Sequence, residues 1–76
     1  MARLVFLGRL ADVAGAVELE VAPGALAAVL AGLEPELAQA LAGPKVRLAL
    51  NGALVSGVVV LAEGDELAFL PPVSGG

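Results

Sequence analysis

A strict alternation of apolar and acidic side chains constrains the fold more than any other feature of the chain. In the segment AVELEVA (16–22), Val17, Leu19 and Val21 share one parity, and Glu18 and Glu20 share the other. A period of two residues is that of a β-strand, in which successive side chains point to opposite faces. The segment therefore predicts a sheet with one face buried and the other in contact with water.

An apolar stripe with the period of a helix follows a Pro-Gly turn signal. Its members are spaced i, i+3, i+4 and i+7 and are Leu26, Val29, Leu30 and Leu33. This spacing predicts an amphipathic helix with one face on the core. Proline disfavours the helical conformation in the residue before it, so Glu34-Pro35 ends or kinks the helix. The segment PELAQAL (35–41) then predicts a second, short helical piece.

Four further segments have the composition or the alternation of strands. They are ARLVFL (2–7), KVRLALNG (45–52), ALVSGVVVL (53–61), which a Ser-Gly pair interrupts, and ELAFLPP (66–72). Between the first two strands, GRLADVAG (8–15) predicts one or two helical turns closed by a glycine. One main helix among several strands indicates an α+β fold, a mixed sheet curled over the helix in a single domain over residues 1–72. The core predicted from these periods comprises Leu4, Phe6, Val17, Leu19, Val21, Leu26, Val29, Leu30, Leu33, Leu41, Val46, Leu48, Leu50, Leu61 and Leu67.

The residue types that are missing argue against a stand-alone enzyme. The chain has no His, Cys, Tyr, Trp or Thr, and its only side-chain hydroxyls are those of Ser56 and Ser74. A nucleophile needs a neighbouring base, and no imidazole is present to act as one. Thiolate metal sites are excluded, and the acidic cluster Glu63, Asp65 and Glu66 is assigned to a solvated turn. No glycine-rich phosphate loop is present, so we expect no cofactor bound by this chain.

The net charge limits the classes of binding partner that the chain can have. Eight acidic residues against four basic ones give a net charge of −4, which argues against nucleic acid and against an anionic membrane surface. Lys45 and Arg47 are assigned to a solvated strand face. The longest uncharged stretch, 48–62, is too short and too broken to span a bilayer. We therefore expect a cytoplasmic protein.

The chain ends FLPPVSGG, and this end permits two interpretations. Residues 73–76 have no apolar pattern, and glycine has the greatest backbone freedom, so we expect a flexible tail beyond the domain. Pro71 and Pro72 fix φ and hold the preceding segment extended. The tail is either a frayed end without a role or a thin arm that presents the carboxylate of Gly76.

Several motifs resemble the small subunits of molybdopterin synthase, a family of ubiquitin-like sulfur carriers with the β-grasp fold. They are the opening LVFLGRLADVAG, the turn NGALV and above all EGDELAFLPPVSGG. The resemblance implies a sulfur carrier of molybdenum cofactor biosynthesis whose C-terminal Gly76 is adenylated and converted to a thiocarboxylate. It implies three partners: the large synthase subunit, an ATP-dependent activating enzyme related to E1 enzymes, and a sulfur donor such as a cysteine desulfurase or a rhodanese-like protein. ATP is then used by the activating partner.

The chemistry of the tail agrees with this resemblance. A carboxylate is a poor electrophile and must be activated away from water, which requires a narrow tunnel. Gly75 has no side chain to obstruct such a tunnel. The activated carbonyl of Gly76 can then accept sulfur.

The residues that flank the tail are candidates for the partner surface: Leu54, Phe69, Leu70, Pro71 and Pro72. For Phe69 two roles stay open, since it is one of two aromatic residues and suits either the core or an exposed anchor. The chain departs from the family in having Phe69-Leu70 where a Phe-Phe pair is common, and Ala11 where a basic residue is common. Both departures concern partner contacts.

Two alternative functions remain. One is a sister carrier, which delivers sulfur for thiamine synthesis or tRNA thiolation or tags proteins through Gly76. The other is a non-catalytic β-grasp interaction module with an inert tail. An added residue after Gly76 discriminates between a carrier, which would not tolerate it, and a module, which would.

Overall fold

A computed structural model of the chain describes residues 1–72. Within them, the expected strands and helices occur in the expected order, with two differences. The segment 53–61 forms two separate strands, and a further short strand precedes the helix that begins at Leu26. The strands are β1 (Ala2–Phe6), β2 (Glu18–Val21), β3 (Gly24–Ala25), β4 (Arg47–Leu50), β5 (Ala53–Val55), β6 (Val60–Leu61) and β7 (Glu66–Leu70). The helices are α1 (Arg9–Ala14), α2 (Leu26–Ala31) and α3 (Pro35–Leu41).

The main sheet is mixed, and its central strand is the last strand of the chain. The strand order is β2-β1-β7-β4-β5, with β7 parallel to β1 and antiparallel to β4. The first two strands form the expected antiparallel pair, with Leu4 opposite Leu19. Because β7 has a neighbour on each side, its direction is fixed where it reaches Leu70.

A second, two-stranded sheet was not expected from the sequence. β3 pairs antiparallel with β6, with Gly24 opposite Leu61. The N–H of Leu26 donates to the carbonyl of Val59 (2.9 Å) and joins this small sheet to the start of α2. Each strand has only two residues, which is too few to show a period.

Three short helices cover one face of the main sheet, instead of one main helix. α2 has six residues and α3 has seven, and Pro35 is the first residue of α3, as its position after Glu34 predicts. α1 ends at Gly15, whose φ of 72° lies in the left-handed region that glycine adopts without strain. None of the helices in residues 1–72 has the length and hydrophobicity needed to cross a lipid bilayer.

The core lies between these helices and the sheet. All but one of the predicted core residues are buried or packed against the buried cluster. Val17 is the exception and that prediction is wrong: its side chain is 66% exposed because the residue precedes β2, an edge strand, and lies beyond the covered part of the sheet. Core residues absent from the prediction are Ala2, Leu10, Leu37, Val59 and Phe69.

Candidate functional site

The candidate site lies where β7 leaves the sheet. Leu70, the last residue of β7, is opposite Arg47 in the ladder with β4. The next residue is Pro71, which has no N–H to donate and therefore ends the ladder. Pro71 and Pro72 are both half-buried. They form the base from which residues 73–76 continue.

The turn between β1 and α1 lies against this base. The N–H of Leu7 donates to the carbonyl of Phe69 (3.1 Å), which ties the turn to the end of β7. Gly8 has a φ of 57°, and a Cβ atom added to it would lie 3.0 Å from Cγ of Pro71. Glycine has no Cβ atom, so it permits the close approach of the Pro71 ring and adopts this positive φ without strain. Gly8 therefore lets the Pro71 ring pack on the turn.

The alternation along β7 separates two of the predicted partner residues. Phe69 points to the helices, is 0% exposed, and stacks on Phe6 with ring centroids 5.8 Å apart. Leu70 has the opposite parity and is half-buried on the outer face of the sheet. Of the two roles left open for Phe69, core packing is therefore the one observed. The expectation of an exposed anchor is wrong for Phe69, because its side chain is enclosed by the core.

An open groove adjoins the base of the tail. It has a volume of about 1020 Å³ and is lined by residues 44–48, 54–57 and 70–72. Leu54 lies on β5, the edge strand next to β4, and is 64% exposed. The structure thus brings together four of the predicted partner residues, Leu54, Leu70, Pro71 and Pro72, along one groove.

The charged residues of the groove are both basic. Lys45 and Arg47 line it and are exposed, and none of the acidic residues of the chain does. Neither side chain forms an ion pair with a carboxylate of residues 1–72. By contrast, Arg3 lies 3.8 Å from both Glu18 and Glu66 on the outer face of the sheet. The assignment to an exposed strand face is confirmed for Arg47, whereas Lys45 is exposed in the turn before β4. Their place in the groove was not foreseen.

The opposite end of the sheet carries an acidic turn with a structural role. The Asp65 carboxylate accepts hydrogen bonds from the N–H of Ala62 (2.8 Å) and from the side-chain amide of Asn51 (3.0 Å). These two hydrogen bonds hold the pKa of Asp65 below its usual value, and the bond from the backbone of Ala62 has the larger effect. The Asn51 side-chain oxygen in turn accepts from the N–H of Glu66 (3.0 Å). The Met1 amino group pairs with Glu63 at the same end. Among residues 1–72, no three acidic side chains are grouped closely enough to hold a metal ion.

The predicted reactive residues lie outside the described part of the chain. Gly75 and Gly76 belong to residues 73–76, beyond the described range. The structure therefore describes the base of the arm and the surface beside it. The residue that sequence reasoning missed is Gly8. Its signal was a glycine directly before an apolar helical turn, which is also an ordinary helix boundary.

Comparisons with known proteins cover almost the whole chain. The model of the ThiS family matches residues 4–76. The molybdopterin synthase sulfur carrier subunit of Escherichia coli (strain K12) is 36% identical, and the alignment covers 100% of both chains. The crystal structure of SAMP1 from Haloferax volcanii superposes with a TM-score of 0.76 at 30% identity and covers 99% of this chain and 98% of that one.

A second solved structure extends the likeness in fold. The solution structure of small archaeal modifier protein 1 from Methanosarcina acetivorans gives a TM-score of 0.81 at 24% identity, over 99% of this chain and 95% of that one. The predicted ubiquitin-like β-grasp fold is confirmed.

Proposed function

Because the chain belongs to the ThiS family, we propose that it is a sulfur carrier of molybdenum cofactor biosynthesis, with the sulfur held as a thiocarboxylate on Gly76. One observation carries the proposal: a Pro-Pro base at the end of the central strand, beside an exposed apolar groove, leads directly into a segment that ends Gly-Gly. The end-to-end match to a relative named as the sulfur carrier subunit of molybdopterin synthase supports the choice of pathway.

The chemistry proceeds in two steps. The Gly76 carboxylate attacks the α-phosphate of ATP, forms an acyl-adenylate and releases pyrophosphate. Sulfur at the oxidation level of sulfide then attacks the acyl carbon and displaces AMP, which leaves a thiocarboxylate without any change of oxidation state. The chain has no His or Cys, so the catalytic groups for both steps belong to the activating enzyme and the sulfur donor. We propose that both steps take place in the cytoplasm, where ATP is available.

The groove and the outer face of the sheet are the surface we assign to the partners. Leu54 and Leu70 supply exposed or half-buried apolar side chains next to Pro71 and Pro72. Burial of apolar surface is the main favourable contribution to most protein–protein association. A large synthase subunit that covers this groove receives the arm at its base. The loaded Gly76 then reaches the active site of that subunit and donates sulfur to the pterin precursor.

Intact-mass measurement tests the proposal directly. The full chain is incubated with its cognate activating enzyme, ATP and sulfide, and we expect a mass increase equal to one oxygen replaced by sulfur on the C-terminal peptide. Removal of ATP is the negative control. An unchanged mass, with an activating enzyme that turns over ATP in the presence of the chain, would contradict the proposal and favour an interaction module with an inert tail.

The width of the arm provides a matched series of variants. A narrow tunnel excludes side chains in proportion to their bulk, so Gly75→Ala should slow loading and Gly75→Val should nearly abolish it. Ser74→Ala, in the same arm, adds no bulk and should load at the rate of the original chain. Deletion of Gly76 should abolish loading because the carboxylate then lies one residue short of the activating site. Equal rates for Gly75→Ala and Gly75→Val would show that the arm is not enclosed.

A second candidate function, attachment to proteins, is favoured by the likeness to SAMP1. The same acyl-adenylate can be attacked by a lysine amino group, which forms an isopeptide bond and releases AMP. Expression of an N-terminally tagged chain in its own organism, followed by mass spectrometry of covalently joined peptides, separates the two functions. Conjugates that require Gly76 indicate a modifier, and a thiocarboxylate without conjugates indicates a dedicated sulfur carrier. Delivery of sulfur for thiamine synthesis or tRNA thiolation uses the same first steps and differs in the accepting partner.

A further inference from the structure

The groove beside the tail base has a charge opposite to that of the molecule. The chain carries eight acidic and four basic residues, yet the groove is lined by two basic residues, Lys45 and Arg47, and by no acidic one. Arg47 is the first residue of β4, where the antiparallel register places it opposite Leu70, and Lys45 lies in the turn just before it. Two of the four basic residues of the chain therefore line the groove at the tail base.

These two cations have no internal role within the described residues. Neither pairs with a carboxylate of residues 1–72, and neither side chain hydrogen-bonds there. Arg3 shows the contrast, since it bridges strands β2 and β7 through Glu18 and Glu66. A cation that stabilises the fold has partners of this kind, and Lys45 and Arg47 do not.

The acidic groups lie elsewhere on the molecule. Glu63, Asp65 and Glu66 are at the opposite end of β7, next to the amino group of Met1. Because β1 and β7 are parallel and β4 runs against them, this end is separated from the groove by the length of the strands. The sheet thus has an acidic end and, around the tail base, a basic one.

We propose that the groove binds a segment of the partner protein in which carboxylate side chains stand next to apolar ones. The carboxylates pair with Lys45 and Arg47, and the apolar side chains contact Leu54 and Leu70. This inference rests on the proposed function, because the partner is the protein that receives the arm. Charges at the rim of an apolar contact set the association rate and the orientation of the two proteins. Here they align the tail base with the entrance of the partner's tunnel.

The observations favour a protein partner over a nucleic acid. Binding to nucleic acid depends on several phosphate contacts, each from a basic side chain. The groove offers two cations in a chain with a net charge of −4, and most of the residues that line it are apolar. This combination fits a mixed acidic and apolar protein surface.

Charge reversal with a matched control tests the inference. Arg47→Glu and Arg9→Glu make the same change in net charge, but Arg9 lies on α1 and does not line the groove. Binding of each full chain to the purified large synthase subunit of the same organism is measured by surface plasmon resonance. At about 0.05 M salt we expect Arg47→Glu to weaken binding about tenfold, mainly through the association rate, and Arg9→Glu to weaken it less than about twofold. Lys45→Glu should behave like Arg47→Glu.

Salt supplies the second readout. The difference between Arg47→Glu and the original chain should shrink at about 0.5 M salt, where ions screen exposed charges over a few ångströms. Equal effects of Arg47→Glu and Arg9→Glu, an effect that salt does not change, or no binding of the original chain would each overturn the inference. So would binding of a labelled single-stranded RNA that depends on Lys45 and Arg47. Circular dichroism melts check that all variants fold.

The same preparation distinguishes this inference from the proposed function. If the original chain binds the large subunit with the expected charge dependence but is never loaded with sulfur, the proposed function fails and the groove assignment stands. If loading proceeds and both charge reversals bind like the original chain, the groove assignment fails and the proposed function stands.

Discussion

Asp65 joins two turns that are far apart in the chain. Its carboxylate accepts hydrogen bonds from the backbone of Ala62 and from the side chain of Asn51, and these contacts lower its pKa in the folded state. The sequence predicts the acidic turn and the Asn-Gly turn separately. Their meeting depends on the pairing of β4 with β7, which no local pattern encodes.

The lowered pKa of Asp65 predicts a specific dependence of stability on pH. The stabilisation is present above the unfolded-state pKa of about 3.8 and is lost as the pH falls through the lower folded-state pKa. Asp65→Asn should therefore lower Tm at pH 7, and the difference from the original chain should diminish below about pH 3.8. Asp12→Asn, on the exposed side of α1, is the control and should show a smaller difference at pH 7. A constant Tm difference across the acid range would contradict the assignment.

Single residues also show where sequence reasoning reaches its limit. Phe69 has the same parity as Leu67, a predicted core residue, but its position beside the tail also permitted the role of an exposed anchor. The covered face is decided by the neighbours β1 and β4, which place Phe69 on Phe6. The prediction that Val17 lies in the core is wrong for a comparable reason. Its parity is that of Leu19, but the cover provided by the helices does not extend to it.

At the scale of elements, β7 combines structural and functional roles on its two faces. Phe69 is completely buried between Phe6 and the helices, whereas Leu70 lines the groove with Leu54. Substitutions on the two faces should therefore have separable effects.

Phe69→Ala should lower the free energy of unfolding by about 3–5 kcal/mol, because it removes a fully buried ring and leaves a cavity. This is a large fraction of the roughly 5–15 kcal/mol available to a small domain. Leu54→Ala, an exposed site, should change it by less than about 0.5 kcal/mol. Urea denaturation followed by circular dichroism measures both. Similar losses for the two variants would mean that Phe69 is not the core residue described, and Phe69→Leu then tests whether the ring itself matters.

The strands and helices were largely predictable, and their connections were not. Alternation located β2 and β4, and the i, i+3, i+4, i+7 stripe located α2, because these periods are set by local backbone geometry. The pairing of β3 with β6 involves two residues on each side and leaves no period to detect. The candidate site was likewise predictable only in part. The motif identified Pro71 and Pro72, but the groove joins residues from three separate stretches, 44–48, 54–57 and 70–72, and exists only after the sheet has formed.

At the scale of the whole molecule, the sheet order explains why the arm leaves from a firm base. β7 is central, so both of its edges are paired, with β1 as far as Phe69 and with β4 as far as Leu70. The turn at Gly8 and the start of β4 flank the two prolines that follow. A partner that docks on the groove therefore contacts residues whose positions are fixed relative to the start of the arm.

The parallel pairing of β1 with β7 also decides how the molecule bears mechanical load. The start of β1 and the end of β7 lie at opposite ends of their shared ladder, so tension between Met1 and Pro72 shears the hydrogen bonds from Arg3 to Phe6 together. Tension between Met1 and Ala22 acts across the antiparallel pair of β1 and β2 and opens its bonds one after another. We expect single-molecule pulling to require a larger force in the first geometry than in the second. An enzyme that draws the arm into a tunnel would pull on the end of β7, along the direction in which the ladder with β1 is sheared. The domain would then stay folded while the C-terminus reacts.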